Sequence, residues 1–121
     1  MKKIFTLILL LSLSLFALDL TPSSFNSVIK SKKVVLVEFW APWCAPCGML
    51  KPEFDKAKRV VANRAVMAKY NVDLRGEVLK KYKIDTIPTM VLFVDGKEVD
   101  RTHSVLNSQD IAEWVLGYVP K

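Results

Sequence analysis

The chain has 121 residues, of which 51% are hydrophobic and 25% charged, with a formal net charge of +6. This length favours one domain, and this composition is typical of a folded globular protein and excludes a disordered one. The basic residues are scattered, and the densest cluster, KSKK at residues 30–33, is typical of a solvated face. We therefore expect no nucleic-acid partner, since that would need a basic patch with interleaved aromatic residues.

The first eighteen residues, MKKIFTLILLLSLSLFAL, differ from the rest of the chain. Lys2 and Lys3 precede an apolar run from Ile4 to Leu18, and the first acid is Asp19. A short basic start followed by such a run is typical of a secretory signal, and the run is shorter than the roughly 20 residues that span a bilayer comfortably. We predict a signal peptide over residues 1–18, with an uncleaved N-terminal membrane anchor as the alternative, and one domain over residues 19–121.

Helices and strands alternate along the predicted domain. The first predicted elements are a helix to about Lys30, with Thr21 as N-cap and Pro22 at its first position, a strand at 34–40 and a helix from about Cys44 that contains Pro52. They are followed by a strand at 65–73, a short helix at 76–82, a hairpin of 89–94 and 97–103 around Asp95-Gly96, and a last helix after Asn107. This order predicts an α/β fold with a central mixed sheet of about four strands and helices on both faces.

The first long strand, VVLVEFW at residues 34–40, is apolar on both faces except for Glu38. Such a run is typical of a strand that helices cover on both sides. An acid is costly to bury there unless it has a function or a partner. Glu38 is therefore a candidate functional residue.

Cys44 and Cys47 are the only cysteines of the chain, and two residues separate them. A zinc or iron–sulfur site needs about four ligands, and His103 is the single histidine, so we expect no metal and no cofactor. A purely structural disulfide is the alternative, but it would close a short loop that constrains the unfolded chain little. A redox-active pair is the favoured interpretation.

The position of Cys44 gives the redox interpretation a mechanism. The predicted strand ends near Trp40 and the helix begins near Cys44, so the Cys44 sulfur lies beside unsatisfied N–H groups and the positive end of the helix dipole. Both favour thiolate over thiol, so we expect Cys44 to attack a substrate disulfide. Cys47, one turn further in, is expected to be shielded and to resolve the mixed disulfide.

Several segments resemble the thioredoxin family over about residues 21–119. The matching segments are VVLVEFWAPWCAPC (34–47), Pro52 at five residues after Cys47, AKYNVD (68–73) and YKIDTIPTMVLFVDGKEV (82–99). The resemblance implies the thioredoxin fold and a thiol-disulfide oxidoreductase with Cys44 as the attacking and Cys47 as the resolving cysteine.

The resemblance also implies roles for a buried pair of charged residues. Glu38 stands where most thioredoxins have a buried aspartate, and Lys69 takes the place of the lysine beside that acid. A pKa raised by burial would suit Glu38 to exchange a proton with Cys47. The alternative is a plain structural ion pair between Glu38 and Lys69.

The remaining implied site residues lie around the family's cis-proline loop. Pro88 takes the place of the cis-proline that lies against the disulfide. Trp43, Thr86 and Ile87 would line the surface that meets the substrate backbone.

The dipeptide between the cysteines, Ala45-Pro46, lacks the histidine found in the dedicated oxidants and isomerases of this family, which favours a reducing pair. We therefore predict an exported, extracytoplasmic monomer, with the periplasm as the expected location, that reduces disulfides in exported proteins. Apocytochromes are one candidate class of substrate, and a membrane thiol-transfer protein is the expected electron donor. If the N-terminal segment is not cleaved, the protein is membrane-anchored. The alternatives are a disulfide oxidase or isomerase and, in a different class, a redox-inactive binding module.

Overall fold

A computed structural model describes residues 18–121, and residues 1–17 of the predicted signal segment lie outside this range. The elements are β1 (Leu18–Asp19), α1 (Phe25–Ile29), β2 (Val34–Trp40), α2 (Ala45–Val61), β3 (Val66–Asn71), α3 (Glu77–Lys81), β4 (Thr89–Val94), β5 (Lys97–Thr102) and α4 (Ser108–Leu116). Within residues 18–121, no helix combines the length and the apolar content needed to cross a bilayer.

The sheet has the strand order β1-β3-β2-β4-β5. β2 pairs in parallel with β3 and antiparallel with β4, so the strand with the most apolar sequence lies at the centre. The hairpin between β4 and β5 turns at Asp95 and Gly96, whose φ angles of 51° and 78° suit a two-residue turn. The predicted mixed sheet is confirmed.

The sheet formed by residues 18–121 contains five strands, one more than the approximately four predicted. Leu18 and Asp19 pair in parallel with Ala68 and Lys69 of β3, and the backbone N–H of Leu20 donates to the Lys69 carbonyl at 2.8 Å. An edge strand of two residues has no alternation of apolar and polar side chains from which it could be predicted. Leu18, the last residue of the predicted signal segment, therefore takes part in the sheet.

The first helix begins later than predicted. The α-helix starts at Phe25 with Ser24 as its N-cap, so the prediction of Thr21 as N-cap was wrong. The Thr21 hydroxyl instead accepts a hydrogen bond from the Ser24 N–H at 3.1 Å, within a turn that precedes the helix. Pro22 fits such a turn as well as it fits the first turn of a helix, because both use its fixed φ.

Alternate residues of β2 pack into two apolar layers. Val34 and Leu36 face α2 and α4, whereas Val35, Val37 and Phe39 face α1 and α3. This alternation follows from the two-residue period of a strand. It places Glu38 on the same face as Leu36, under α2.

Phe25, the first residue of α1, lies in the centre of the apolar layer between this helix and the sheet. It is fully buried, and its ring lies within about 6 Å of four other aromatic rings, those of Phe39, Tyr70, Tyr82 and Phe93. We predict that Phe25→Ala lowers the free energy of unfolding by about 3–5 kcal/mol, because it removes the ring and leaves a cavity.

The control is Leu74→Ala, since Leu74 is 47% exposed; its effect should stay within about 0.5 kcal/mol. Urea unfolding measures both variants. Equal losses for the two variants would contradict this description of the core.

Candidate active site

Cys44 lies where the chain passes from β2 into α2. It is the N-cap of α2, and its sulfur accepts a hydrogen bond from the Cys47 backbone N–H at 3.2 Å. The two cysteines form a disulfide with 5.3 Å between their Cα atoms. The predicted position of the sulfur at the positive end of a helix is therefore present, and it stabilises negative charge on Cys44.

The two cysteine residues differ in exposure. Cys44 is 8% exposed and Cys47 is 3% exposed, and Trp40, Val72 and Ile87 pack against the cluster that they form with Ala41. Cys44 is thus the more exposed residue of a pair that is buried as a whole. This order agrees with attack by Cys44 and resolution by Cys47.

Glu38 is fully buried, and neither of its carboxyl oxygens forms a hydrogen bond within residues 18–121. Burial raises the pKa of Glu38 from 4.5 to about 7. The charge of Lys69 acts in the opposite direction, while Asp55 raises this pKa and Lys51 lowers it. The group is therefore able to gain or lose a proton near neutral pH.

Lys69 lies beside Glu38 in the parallel register of β2 and β3, but the described residues show no ion pair between the two side chains. The Lys69 Nζ instead lies 4.2 Å from the centroid of the Trp40 ring, at the distance of a cation–π contact. The alternative of a plain structural ion pair is thus not the arrangement observed.

The loop before β4 provides a surface next to the cysteines. The Ile87–Pro88 peptide bond is cis, as the resemblance implies. Pro88 is buried and Thr86 is exposed, whereas Ile87 is half-buried and packs against the cluster that contains Cys44 and Cys47. The structure therefore brings Ile87 to the disulfide and leaves Thr86 further out on the same loop.

Trp43 lies beside the cysteines with 69% of its surface exposed. Its Nε1–H donates to Oδ1 of Asp73 at 3.0 Å, which fixes the orientation of the indole. A large exposed aromatic side chain held in one orientation is suited to contact a partner.

The sequence did not indicate that three further residues contribute contacts near the site: Asp73, Thr89 and His103. Thr89 is fully buried, and its Oγ1 lies 2.6 Å from the Thr86 carbonyl and 2.9 Å from Nδ1 of His103. The one available signal was the position of Thr89 directly after Pro88. No periodicity indicates that His103, fourteen residues later, lies against it.

Comparison with known proteins agrees with this geometry. A family model described as Thioredoxin matches residues 16–116. The chain belongs to the thioredoxin family. It is 36% identical over 100 residues to a thioredoxin of Rickettsia bellii, a match that covers 82% of this chain and 95% of that protein.

Two further relatives are similar over most of their length. Thioredoxin 1 of Synechococcus elongatus is 39% identical over 106 residues, covering 87% of each chain. A mutant thioredoxin of Halobacterium salinarum has a TM-score of 0.78 at 27% identity, covering 88% of this chain and 94% of the other.

The predicted fold, the family and the enzyme class are confirmed: the chain is a thioredoxin-like protein-disulfide reductase with Cys44 and Cys47 at disulfide distance. The individual roles of Glu38, Lys69 and Pro88 stay predictions.

The raised pKa of Glu38 predicts a pH dependence of stability. The unfolded chain releases this proton near pH 4.5, whereas the folded protein holds it up to about pH 7. Glu38 therefore contributes stability below pH 4.5 that is lost as the pH rises through 7, and the loss is about 3 kcal/mol. Glu38→Gln lacks this titration, so its free energy of unfolding relative to wild type should rise by that amount from pH 4.5 to 8.

Urea unfolding of the disulfide form across this pH range provides the measurement. Glu77→Gln, which removes an exposed carboxylate on α3, is the control and should show a much smaller change. Parallel pH profiles for wild type and Glu38→Gln would show that Glu38 titrates at its ordinary value.

Proposed function

We propose that this protein reduces disulfides in exported proteins through a dithiol-disulfide cycle of Cys44 and Cys47. The observation that carries the proposal is the pair itself: a disulfide at the N-terminus of α2, with the buried carboxyl group of Glu38 on the adjoining strand. A structural disulfide would need neither feature.

The first step uses the reduced protein. The Cys44 thiolate attacks one sulfur of the substrate disulfide, a bond forms between the two sulfurs, and the other substrate sulfur leaves as a thiolate. The N–H groups at the start of α2 stabilise the attacking thiolate.

The second step releases the substrate. The Cys47 thiol gives its proton to the Glu38 carboxylate and attacks the Cys44 sulfur, so the mixed disulfide breaks and the second substrate sulfur leaves. The substrate gains two electrons and two protons in total. The Cys44–Cys47 disulfide is the oxidised product, which an external dithiol must reduce again.

The substrate backbone is proposed to lie along Ile87. The Ile87 N–H and carbonyl form no hydrogen bond within residues 18–121, and the residue packs against the cluster that contains both cysteines. Free backbone groups at an edge can pair with an extended peptide. Trp43 and Thr86 would complete this surface, and Pro88 would fix its position beside the disulfide.

Export and direction are supported by the sequence. The basic start and apolar run of residues 2–18 favour passage across a membrane, with a periplasmic location as the proposal. The absence of histidine between the cysteines favours a reducing pair. A reducing protein in an oxidising compartment needs a donor, so the proposed partner is a membrane thiol-transfer protein. Apocytochromes are one proposed class of substrate, and the protein is proposed to act as a monomer.

We predict that residues 18–121 catalyse the reduction of insulin by dithiothreitol. Cys44→Ser should abolish catalysis because it removes the nucleophile, whereas Cys47→Ser should accumulate a mixed disulfide because it removes the resolving thiol. Non-reducing gels and a turbidity assay measure the two effects. Full activity of Cys44→Ser would favour the redox-inactive binding module.

We predict that Glu38→Ala slows release from the mixed disulfide by about 100-fold or more at pH 7, the usual range for loss of a general base. Stopped-flow fluorescence of the exposed Trp43 follows this step. Glu77→Gln, which removes an exposed carboxylate on α3, is the control and should retain the wild-type rate. If Glu38→Ala released the substrate at the wild-type rate, water and not Glu38 would accept the Cys47 proton.

We predict that residues 1–18 direct a fused reporter across the membrane and that the protein is mainly reduced there. Alkylation of free thiols in intact cells measures the redox state, and deletion of the membrane electron carrier should convert the pool to the disulfide. A pool already oxidised in wild-type cells would favour the oxidase or isomerase.

A further inference from the structure

A two-bond hydrogen-bonded chain links an exposed histidine to the loop beside the disulfide. The Thr89 Oγ1 lies 2.6 Å from the Thr86 carbonyl and 2.9 Å from Nδ1 of His103. Thr89 is fully buried, whereas His103 is exposed just after the end of β5. The chain thus runs from the surface to the residue that precedes Ile87.

The protons of this chain can be assigned from the chemistry of its members. A carbonyl oxygen only accepts, so the single hydroxyl hydrogen of Thr89 must lie on its bond to Thr86. The Thr89 oxygen is then an acceptor toward His103, and Nδ1 of the imidazole must be the donor. Neutral His103 is therefore held with its proton on Nδ1.

We propose that His103 is a positioning residue for substrate binding, acting through Thr89 on the Thr86–Pro88 loop. The Thr89 hydroxyl closes the loop on its inner side by holding the Thr86 carbonyl. The peptide groups of Ile87, a residue that packs against the cluster containing both cysteines, then stay free of hydrogen bonds within residues 18–121. The Nδ1–H of His103 donates to the Thr89 oxygen, so the hydroxyl hydrogen of Thr89 stays directed at the Thr86 carbonyl.

The proposal rests on the proposed function, because it concerns how a substrate is seated for reduction. The role of His103 goes beyond that function, because this residue lies outside both the cysteine motif and the cis-proline loop. Loss of the His103 contact should weaken substrate binding but leave the chemistry of the cysteines unchanged.

Two substitutions of His103 separate this role from general packing. The side-chain amide of His103→Asn can place an N–H where Nδ1 stands, whereas that of His103→Gln reaches the place of Nε2. We expect the KM for insulin to rise about three- to tenfold in His103→Gln and to stay near wild type in His103→Asn, the range for one lost hydrogen bond. kcat and the rate of reduction by dithiothreitol should not change in either variant.

Thr89→Val tests the link between the two residues. It should raise the KM at least as much as His103→Gln, and the double variant should be no worse than Thr89→Val alone. Thr102→Val is the control, since the Thr102 hydroxyl accepts from the Ser104 N–H and is not part of this chain. Additive effects of the two substitutions would overturn the proposal, as would an equal KM for His103→Asn and His103→Gln.

A nitrogen-15 NMR measurement tests the contact without any assay of activity. The neutral imidazole should carry its proton on Nδ1 in the wild type and shift toward Nε2 in Thr89→Val. A wild-type ring protonated on Nε2 would overturn the proposal. If the wild type shows the Nδ1 proton but does not reduce insulin, the proposed function fails and the contact stands.

Discussion

The buried carboxyl group of Glu38 is the constraint on which the rest of the site depends. It lies on the central strand of the sheet, and neither oxygen forms a hydrogen bond in the described part of the chain. An ionised carboxylate is costly in such surroundings, so burial raises the pKa of Glu38 to about 7. The same strand ends at Trp40, and only three residues separate it from Cys44 at the start of α2. The acid and the thiols therefore lie on adjoining elements of the chain.

Lys69 reduces the rise in the pKa of Glu38 but does not cancel it. Its charge lowers the pKa of Glu38, but its Nζ lies over the Trp40 ring and not on the carboxylate. A direct ion pair would lower the pKa of Glu38 further and would make its carboxylate a weaker base for the proposed proton transfer from Cys47. The cation–π contact gives Lys69 a partner of its own and leaves the carboxyl group available.

The central part of this structure could be predicted because its signals are local. VVLVEFW indicates a buried strand with one unexplained acid, Asp95-Gly96 indicates a hairpin turn, and the spacing of Cys44 and Cys47 indicates a pair at a helix start. The cis geometry of Pro88 followed only from the family resemblance, since a sequence alone favours trans.

The features that were missed depend on contacts between distant parts of the chain. β1 is an edge strand of two residues that exists only because β3 offers a free edge. The Lys69 side chain lies over Trp40, and the bond between Thr89 and His103 joins the first residue of β4 to the residue after β5. None of these contacts leaves a periodic pattern in the sequence, so the structure was needed to find them.

The reduction potential of the Cys44–Cys47 pair tests the central claim, that this is a reducing dithiol, most directly. Equilibration of residues 18–121 with glutathione or dithiothreitol buffers, followed by quantification of free thiols, gives the value. We predict a potential near the roughly −270 mV of thioredoxin, because no histidine stands between the cysteines. A potential near the roughly −120 mV of strong oxidants would refute this claim and assign the protein to disulfide formation.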